Sequence, residues 1–458
     1  MIQRLLRYQN PTRWFFLHLF LGFISTISSI PFIFYFYFFL ITSLPFLFIK
    51  SNLNSPLSYI IIYLSSFEIL ARMAKTSPLI PYEVGKYLLF ILLILGLITS
   101  SRKGRIGLVL ILLLIPGFFY DHSFMVDEQD LRFNLLGPVN IGLSIWYFYQ
   151  QKFNEEGFKK IILVLVLPLI SCLVFTILKT PDFSTIQFNL SANFDTTGGF
   201  GSNQVSTIFG LGMMLVFYMK LNNWSISDHS WIDSLLLFAF IFQGLLSFSR
   251  GGMLGGFLGI IIIIIFLNRR VSSQSRDLLL RMKKTKRYIF PIIISMLFIL
   301  FLTNRFTEGN LLLRYQGETA GTLSGNRVKD FNLLTTGRTA ILMGDFALFN
   351  EYGFWGSGAG ASKYLRPQHR DVLSHVELGR LLAEHGYLGL LYFMILIYLL
   401  YNIYKSPVDI LYKSLLFSLF FLGFFTSFHA ATRTFVPSLL IGLSLIFVSK
   451  DENFIHRQ

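Results

Sequence analysis

Apolar residues in this chain come in unbroken blocks, without the regular spacing of an amphipathic helix or the alternation of a half-buried strand. Runs such as Ile161 to Leu178, Met253 to Leu267 and Tyr288 to Leu302 approach the roughly 20 helical residues that cross a hydrocarbon layer about 30 Å thick. Inside lipid only helices and closed barrels satisfy every backbone group, and continuous apolar runs are unlike barrel strands. The pattern therefore predicts an all-α, polytopic transmembrane helical bundle. Candidate spans fall at 14–30, 31–49, 57–73, 84–100, 105–120, 134–150, 160–178, 204–220, 232–249, 251–267, 288–303, 386–403, 411–428 and 434–449. These make about 14 spans, or 12 to 14 given the short stretch around Pro31 and the brevity of several runs.

The polar intervals differ in sign. Arg4, Arg7 and Arg13 precede the first span, and Arg102, Lys103 and Arg105 cluster, as do Lys152, Lys159 and Lys160. Residues 268–287 hold eight Lys or Arg against one Asp. With 14 spans all of these fall on one side, which the positive-inside rule makes the cytoplasm, with both termini there. The other side receives residues 121–131, with Asp121, Asp127, Glu128 and Asp130, and the Thr-, Ser-, Asn- and Gly-rich stretch 179–203; Arg72 and Lys75 are the exceptions. It also receives the charge-dense segment 304–385. The chain, 1–458, thus reads as a single integral membrane domain with one large extracytoplasmic loop containing short helices.

Composition agrees. Of 458 residues, 53% are hydrophobic and 14% charged, which leaves no soluble domain. The net charge of +15 sits mostly in the short basic loops, so it reads as topogenic charge and not as a nucleic-acid surface. The basic N-terminus resembles a signal peptide, but the apolar run continues to Lys50 without a small-residue cleavage site and is expected to be retained. Cys172, alone and within a span, supports neither an intramolecular disulfide nor a cysteine metal site.

Several unusual features converge on the external face: residues 179–203, the turn at Arg250, the 304–385 loop, and the short turn 429–434 with His429 and Arg433. An Arg at the rim of a span must meet water, a partner or an anion, because a desolvated charge costs several kcal/mol. Arg250 lies in Ser-Phe-Ser-Arg-Gly-Gly-Met-Leu-Gly-Gly, residues 247–256, whose glycines permit a tight reversal and close backbone approach. Thr336 is a possible N-cap for a helix starting near Arg338, which places that guanidinium in a first turn where backbone N–H groups and the dipole favour anions. Ser374-His375-Val376-Glu377 fits a capping box, with His375 the first helical residue, held neutral by the dipole and able to accept a proton. Each of these, taken singly, also fits an ordinary interfacial role. Gly356-Ser357-Gly358-Ala359-Gly360 lacks the flanking elements of a nucleotide loop and reads as a flexible segment near the bilayer. His369, His375 and His385 do not share a helical face as zinc ligands would, and no Asp-x-Asp pair stands on the external side to hold Mg²⁺. A reaction without metal or cofactor is expected.

The Arg250-Gly251-Gly252 turn, the Gly337-Arg338-Thr339-Ala340 helix start, Phe354-Trp355-Gly356-Ser357-Gly358, and His375-x10-Gly386 running into a span share an order, spacing and topology. Together they resemble the O-antigen ligase and O-antigen polymerase family, over roughly residues 195–450. Arg338-x3-Leu342 and His375-x10-Gly386 look like the two signatures of the ligases, and Asn203 sits where the family often has a Gly-x-Phe-x-Asn-Pro-Asn-like stretch. One departure is that family members commonly carry an Arg just before that stretch, where Asp195, Thr196 and Thr197 stand here; Lys179 or Arg433 are the candidate substitutes.

The resemblance implies a glycosyltransferase at the outer face of the bacterial plasma membrane. Its donor would be a glycan on undecaprenyl pyrophosphate; its acceptor, another lipid-linked repeat, lipid A-core or a protein hydroxyl; its partners, membrane lipid and a chain-length regulator or flippase. Arg250 and Arg338 would hold the pyrophosphate and His375 would act on the acceptor hydroxyl, with Arg366, Arg370 and Arg380 lining the glycan or phosphate path and Glu377 serving as a cap. A flippase would display polar groups through the midplane, where Glu68 is the main exception to apolar spans. A non-catalytic scaffold would tolerate loss of these side chains.

Overall fold

The computed structural model describes residues 11–99, 104–268 and 276–449, with side chains throughout except at 276–288. Arg4, Arg7, Arg102 and Lys103, and the side chains of the basic residues 269–287, lie outside the described residues. Helices dominate. In chain order they are α1 (Pro11–Ile27), α2 (Ile30–Leu47), α3 (Pro56–Ser65), α4 (Glu68–Met73), α5 (Val84–Thr99), α6 (Arg105–Phe119), α7 (Glu128–Phe148), α8 (Glu155–Lys179), α9 (Ser202–Leu221), α10 (Ser230–Leu246), α11 (Arg250–Asn268) and α12 (Arg276–Phe306). Five short helices follow: α13 (Asn310–Tyr315), α14 (Ala320–Leu323), α15 (Phe331–Leu334), α16 (Arg338–Tyr352) and α17 (Ser362–Leu365). The chain then re-enters the bundle with α18 (Glu377–Lys405), α19 (Ile410–His429) and α20 (Phe435–Leu443).

Among the described residues, seven helices are long and apolar enough to cross a membrane, and three shorter ones, α5, α6 and α10, are also apolar. The chain is a multi-pass membrane protein. Each expected span is helical, though the one at 57–73 is broken into α3 and α4, and the last shortens to α20. The chain after α20 forms β2 (Phe447–Ser449), which pairs in parallel with β1 (Lys152–Asn154).

Helices α8 and α9 are central, with 83% and 89% of their most apolar stretches buried. Small residues bring α9 and α11 into backbone contact: a Cβ at Gly256 would lie 2.5 Å from the carbonyl oxygen of Gly210, and one at Gly252 would collide with the Ser206–Thr207 peptide. The Arg-Gly-Gly start of α11 is thereby locked against the first turns of α9.

The spans carry more polar groups than the hydropathy pattern suggested. His18 of α1 bonds Tyr63 at 2.9 Å, and Lys86 pairs with Glu83 at 2.7 Å. Glu68 and Arg72 form a buried ion pair, so Arg72 is a neutralised interior residue and not a topogenic charge on a loop. Its position is set by internal pairing, which a count of loop charge does not register.

Candidate functional site

Arg250 is the first residue of α11, and its Nη2 donates to the carbonyl of Leu334 at 2.7 Å. That bond draws the loop helices against the bundle immediately before Arg338. Thr336 (φ 56°) and Gly337 (φ 83°) are both left-handed, which turns the chain sharply into α16. Arg338 then opens the helix, but Gly337 and not Thr336 occupies the N-cap position. The first amides of α16 are already satisfied: Thr339 N–H donates to Thr335 Oγ1 at 3.3 Å and Ala340 N–H to Asn332 Oδ1 at 3.0 Å. An anion here must meet guanidinium groups, because these two amides are engaged by side chains. Arg338 Nη1 bonds Thr336 Oγ1 at 2.7 Å, while its Nε is buried with no partner among the described residues.

Arg314, on α13, was not expected from the sequence. Its Nε donates to Phe248 O at 3.5 Å, beside the start of α11. Burial, then the positive charges of Arg250 and Arg338, depress its pKa to about 10, so it stays charged at neutral pH. Burial and Arg250 likewise lower that of Arg338. No ion pair involves Arg250, Arg314 or Arg338 among the described residues. The neighbouring Tyr315 hydroxyl is buried without a hydrogen-bond partner there.

The turn between α19 and α20 supplies the other half. His375 reaches it through the backbone, its carbonyl accepting from Ala431 N–H at 3.1 Å. The capping box does not form: α18 begins at Glu377 behind Val376, and Ser374 Oγ accepts from Val376 N–H at 3.1 Å instead. His375 therefore precedes the helix. It is neutral for a different reason than the dipole: burial, then Arg433, then Arg338, bring its pKa down to about 4. Arg433, whose Nε and Nη2 are buried without hydrogen-bond partners among the described residues, has its own pKa lowered to about 10 by burial and Arg380, against the opposing pull of Glu377.

A second layer fixes this turn. Glu377 Oε2 accepts from Thr432 N–H (3.1 Å) and Oγ1 (3.0 Å), while Glu377 Oε1 pairs with Arg380. Glu68 Oε2 accepts from Phe435 N–H at 2.7 Å, and Arg72 donates to the carbonyl of Arg433 at 3.1 Å. Glu377 is thus a clamp and not a cap. Lys86 and Arg433 lie over the same ring, Phe133, at 4.8 and 5.8 Å.

The remaining expected residues separate. Arg380 is buried and committed to Glu377 and Asn134, and Arg366 is fully buried 2.9 Å from Asp345. Neither lines an open path, contrary to expectation, because each neutralises an interior carboxylate. Burial, which outweighs Arg366, lifts the pKa of Asp345 to about 6. Arg370 is exposed, with Nε 3.4 Å from the Arg366 carbonyl. Asn203 lies beside Arg250: its Oδ1 accepts from Ser249 Oγ at 2.7 Å. Lys179 is exposed at the end of α8.

The Gly356–Gly360 stretch is buried, not a flexible loop. Gly386 has φ 58° and ψ −135° and breaks α18, and the stretch satisfies carbonyls near the break: Ser357 N–H donates to Ala383 O at 2.8 Å and Gly358 N–H to Glu384 O at 3.1 Å. No family model, curated protein or solved structure matches the chain.

Proposed function

We propose that the chain is a lipid-diphosphate-dependent glycosyltransferase of the O-antigen ligase or polymerase type, working at the outer face of the bacterial plasma membrane, with 12 to 14 spans and both termini cytoplasmic. The observation that carries this is the grouping of Arg250, Arg314 and Arg338, from three chain segments, without an ion-paired carboxylate among the described residues, next to a neutral His375. Partly desolvated guanidiniums suit a multiply charged phosphate, whose oxygens they bind in forked pairs. Arg433, on the His375 side, is our candidate for the cation missing near residue 195.

The donor would be a glycan on undecaprenyl diphosphate. The acceptor oxygen attacks the anomeric carbon, the bond from that carbon to the phosphate oxygen breaks, and the electron pair leaves on the diphosphate, with inversion. His375 takes the hydroxyl proton and the arginines stabilise the leaving charge. Such a leaving group is already activated, which is why the reading calls on no metal or cofactor. Glu68, the carboxylate that a transport reading would use, is engaged by Arg72 and Phe435 N–H, which favours a structural role for it.

Reconstitution of the full chain in liposomes with lipid-linked repeats tests the proposal. Lengthening products indicate a polymerase; a need for lipid A-core or another added acceptor indicates a ligase. Arg338→Ala, Arg314→Ala and His375→Ala should each lower turnover about 10²- to 10³-fold with insertion unchanged. Arg314→Lys should recover only part of the loss, since an ammonium lacks the planar fork. Full activity in all the Ala variants would refute the assignment.

A further inference from the structure

His429 ends α19 and is 5% exposed, and apart from a contact of the ring with its own backbone neither ring nitrogen has a hydrogen-bond partner among the described residues. A buried imidazole left so is costly, and native interiors pair such groups with few exceptions. Its placement is tightly determined. A Cβ at Gly251, next to Arg250, would lie 2.5 Å from His429 Cγ and 2.6 Å from Nδ1, so that edge of the ring rests on the start of α11. Phe425 flanks the ring at 5.6 Å between centroids. Nε2 is the vertex opposite the Cγ–Nδ1 bond, the ring atom farthest from that contact. The imidazole feels the charge of Arg338 and interacts with His375.

We infer that His429 is a positioning residue for the anionic ligand, its neutral Nε2–H donating a hydrogen bond to a diphosphate oxygen held by Arg250 and Arg338. This rests on the proposed diphosphate chemistry and adds a division of labour. His375 accepts the proton of the acceptor hydroxyl, whereas His429 keeps its own proton and fixes the leaving group. Gly251 is then required at its position because any side chain there would displace the ring.

Inorganic pyrophosphate binding to the purified full-length protein in nanodiscs, measured calorimetrically, tests this. His429→Phe keeps the ring packing and removes both nitrogens, and affinity should fall about tenfold or more, as expected for one hydrogen bond to a charged group. His429→Gln places an amide donor near Nε2 and should stay within about threefold of wild type, while His429→Asn, of similar polarity, reaches only the Nδ1 position and should bind as weakly as the Phe variant. A folding defect would strike Gln and Asn alike, so their split reports the donor itself. Equal, wild-type affinity in Phe, Gln and Asn variants would overturn the role of His429 while leaving the diphosphate site intact, provided Arg338→Ala abolishes binding. Pyrophosphate binding that is absent, or indifferent to Arg338→Ala, would overturn both.

Discussion

His375 owes its neutrality to its surroundings, and the sign of its pH dependence follows. With the pKa lowered from 6.5 to about 4, the imidazole remains neutral, as the proposed base role requires, until the pH approaches 4. The acid limb of kcat/KM, which reports the free enzyme, should therefore lie near pH 4 and not near 6.5. Arg433→Gln removes the second-largest cause and should move that limb upward. A wild-type limb at 6.5 would show that the pocket does not suppress imidazolium. The same shift affects stability: the unfolded chain takes up the proton first, so this group's contribution is complete above pH 6.5 and declines as the pH falls toward 4. Much of this residue-level arrangement was legible in the sequence. Arg250, Arg338 and His375 stand out as charge beside apolar runs. Arg314 did not, because its environment is created by Phe248, 66 positions away. Arg366 and Arg380 looked available, since nothing in sequence spacing reveals that Asp345 and Glu377 neutralise them.

Among elements, α18 shows how a break can be built in. Gly386 adopts a conformation closed to other residues, and its Cα faces the carbonyls of Gly353 and Phe354, the latter 2.5 Å from where a Cβ would stand. Gly386→Ala should cost about 1–3 kcal/mol in backbone strain alone, with the contact in addition. Thermal unfolding in detergent measures this; an unchanged midpoint would mean that the break is incidental. The apolar run marks the helix itself, and the spacing His375-x10-Gly386 marks the glycine that breaks it. The Gly356–Gly360 segment is packed where its sequence suggests a flexible loop, because glycine composition signals mobility or close packing equally well, and only the carbonyls near the break distinguish them.

For the whole molecule, hydropathy determined the helical bundle well, since lipid leaves the backbone few options. The buried charges were less legible because their partners come from distant helices. Sidedness can be tested with the native cysteine left in place, as Cys172 is buried. Lys329→Cys, exposed in the loop region, should react with a membrane-impermeant maleimide in intact cells, and Lys405→Cys only after permeabilisation. The opposite pattern would put the arginine cluster in the cytosol and remove it from any external glycan.

The clasp that Glu68 and Arg72 place on Phe435 and Arg433 joins residues 367 and 361 positions apart. A ribosome that has delivered Arg250, Arg338 and His375 has therefore still not delivered the residues that hold them in place. Under the proposed chemistry, nascent chains should stay inert until the final hairpin inserts and is gripped from upstream, and a fragment starting near residue 195 would carry the candidate side chains without the hold that orients them. Coexpressed halves should regain turnover only when both occupy the same bilayer.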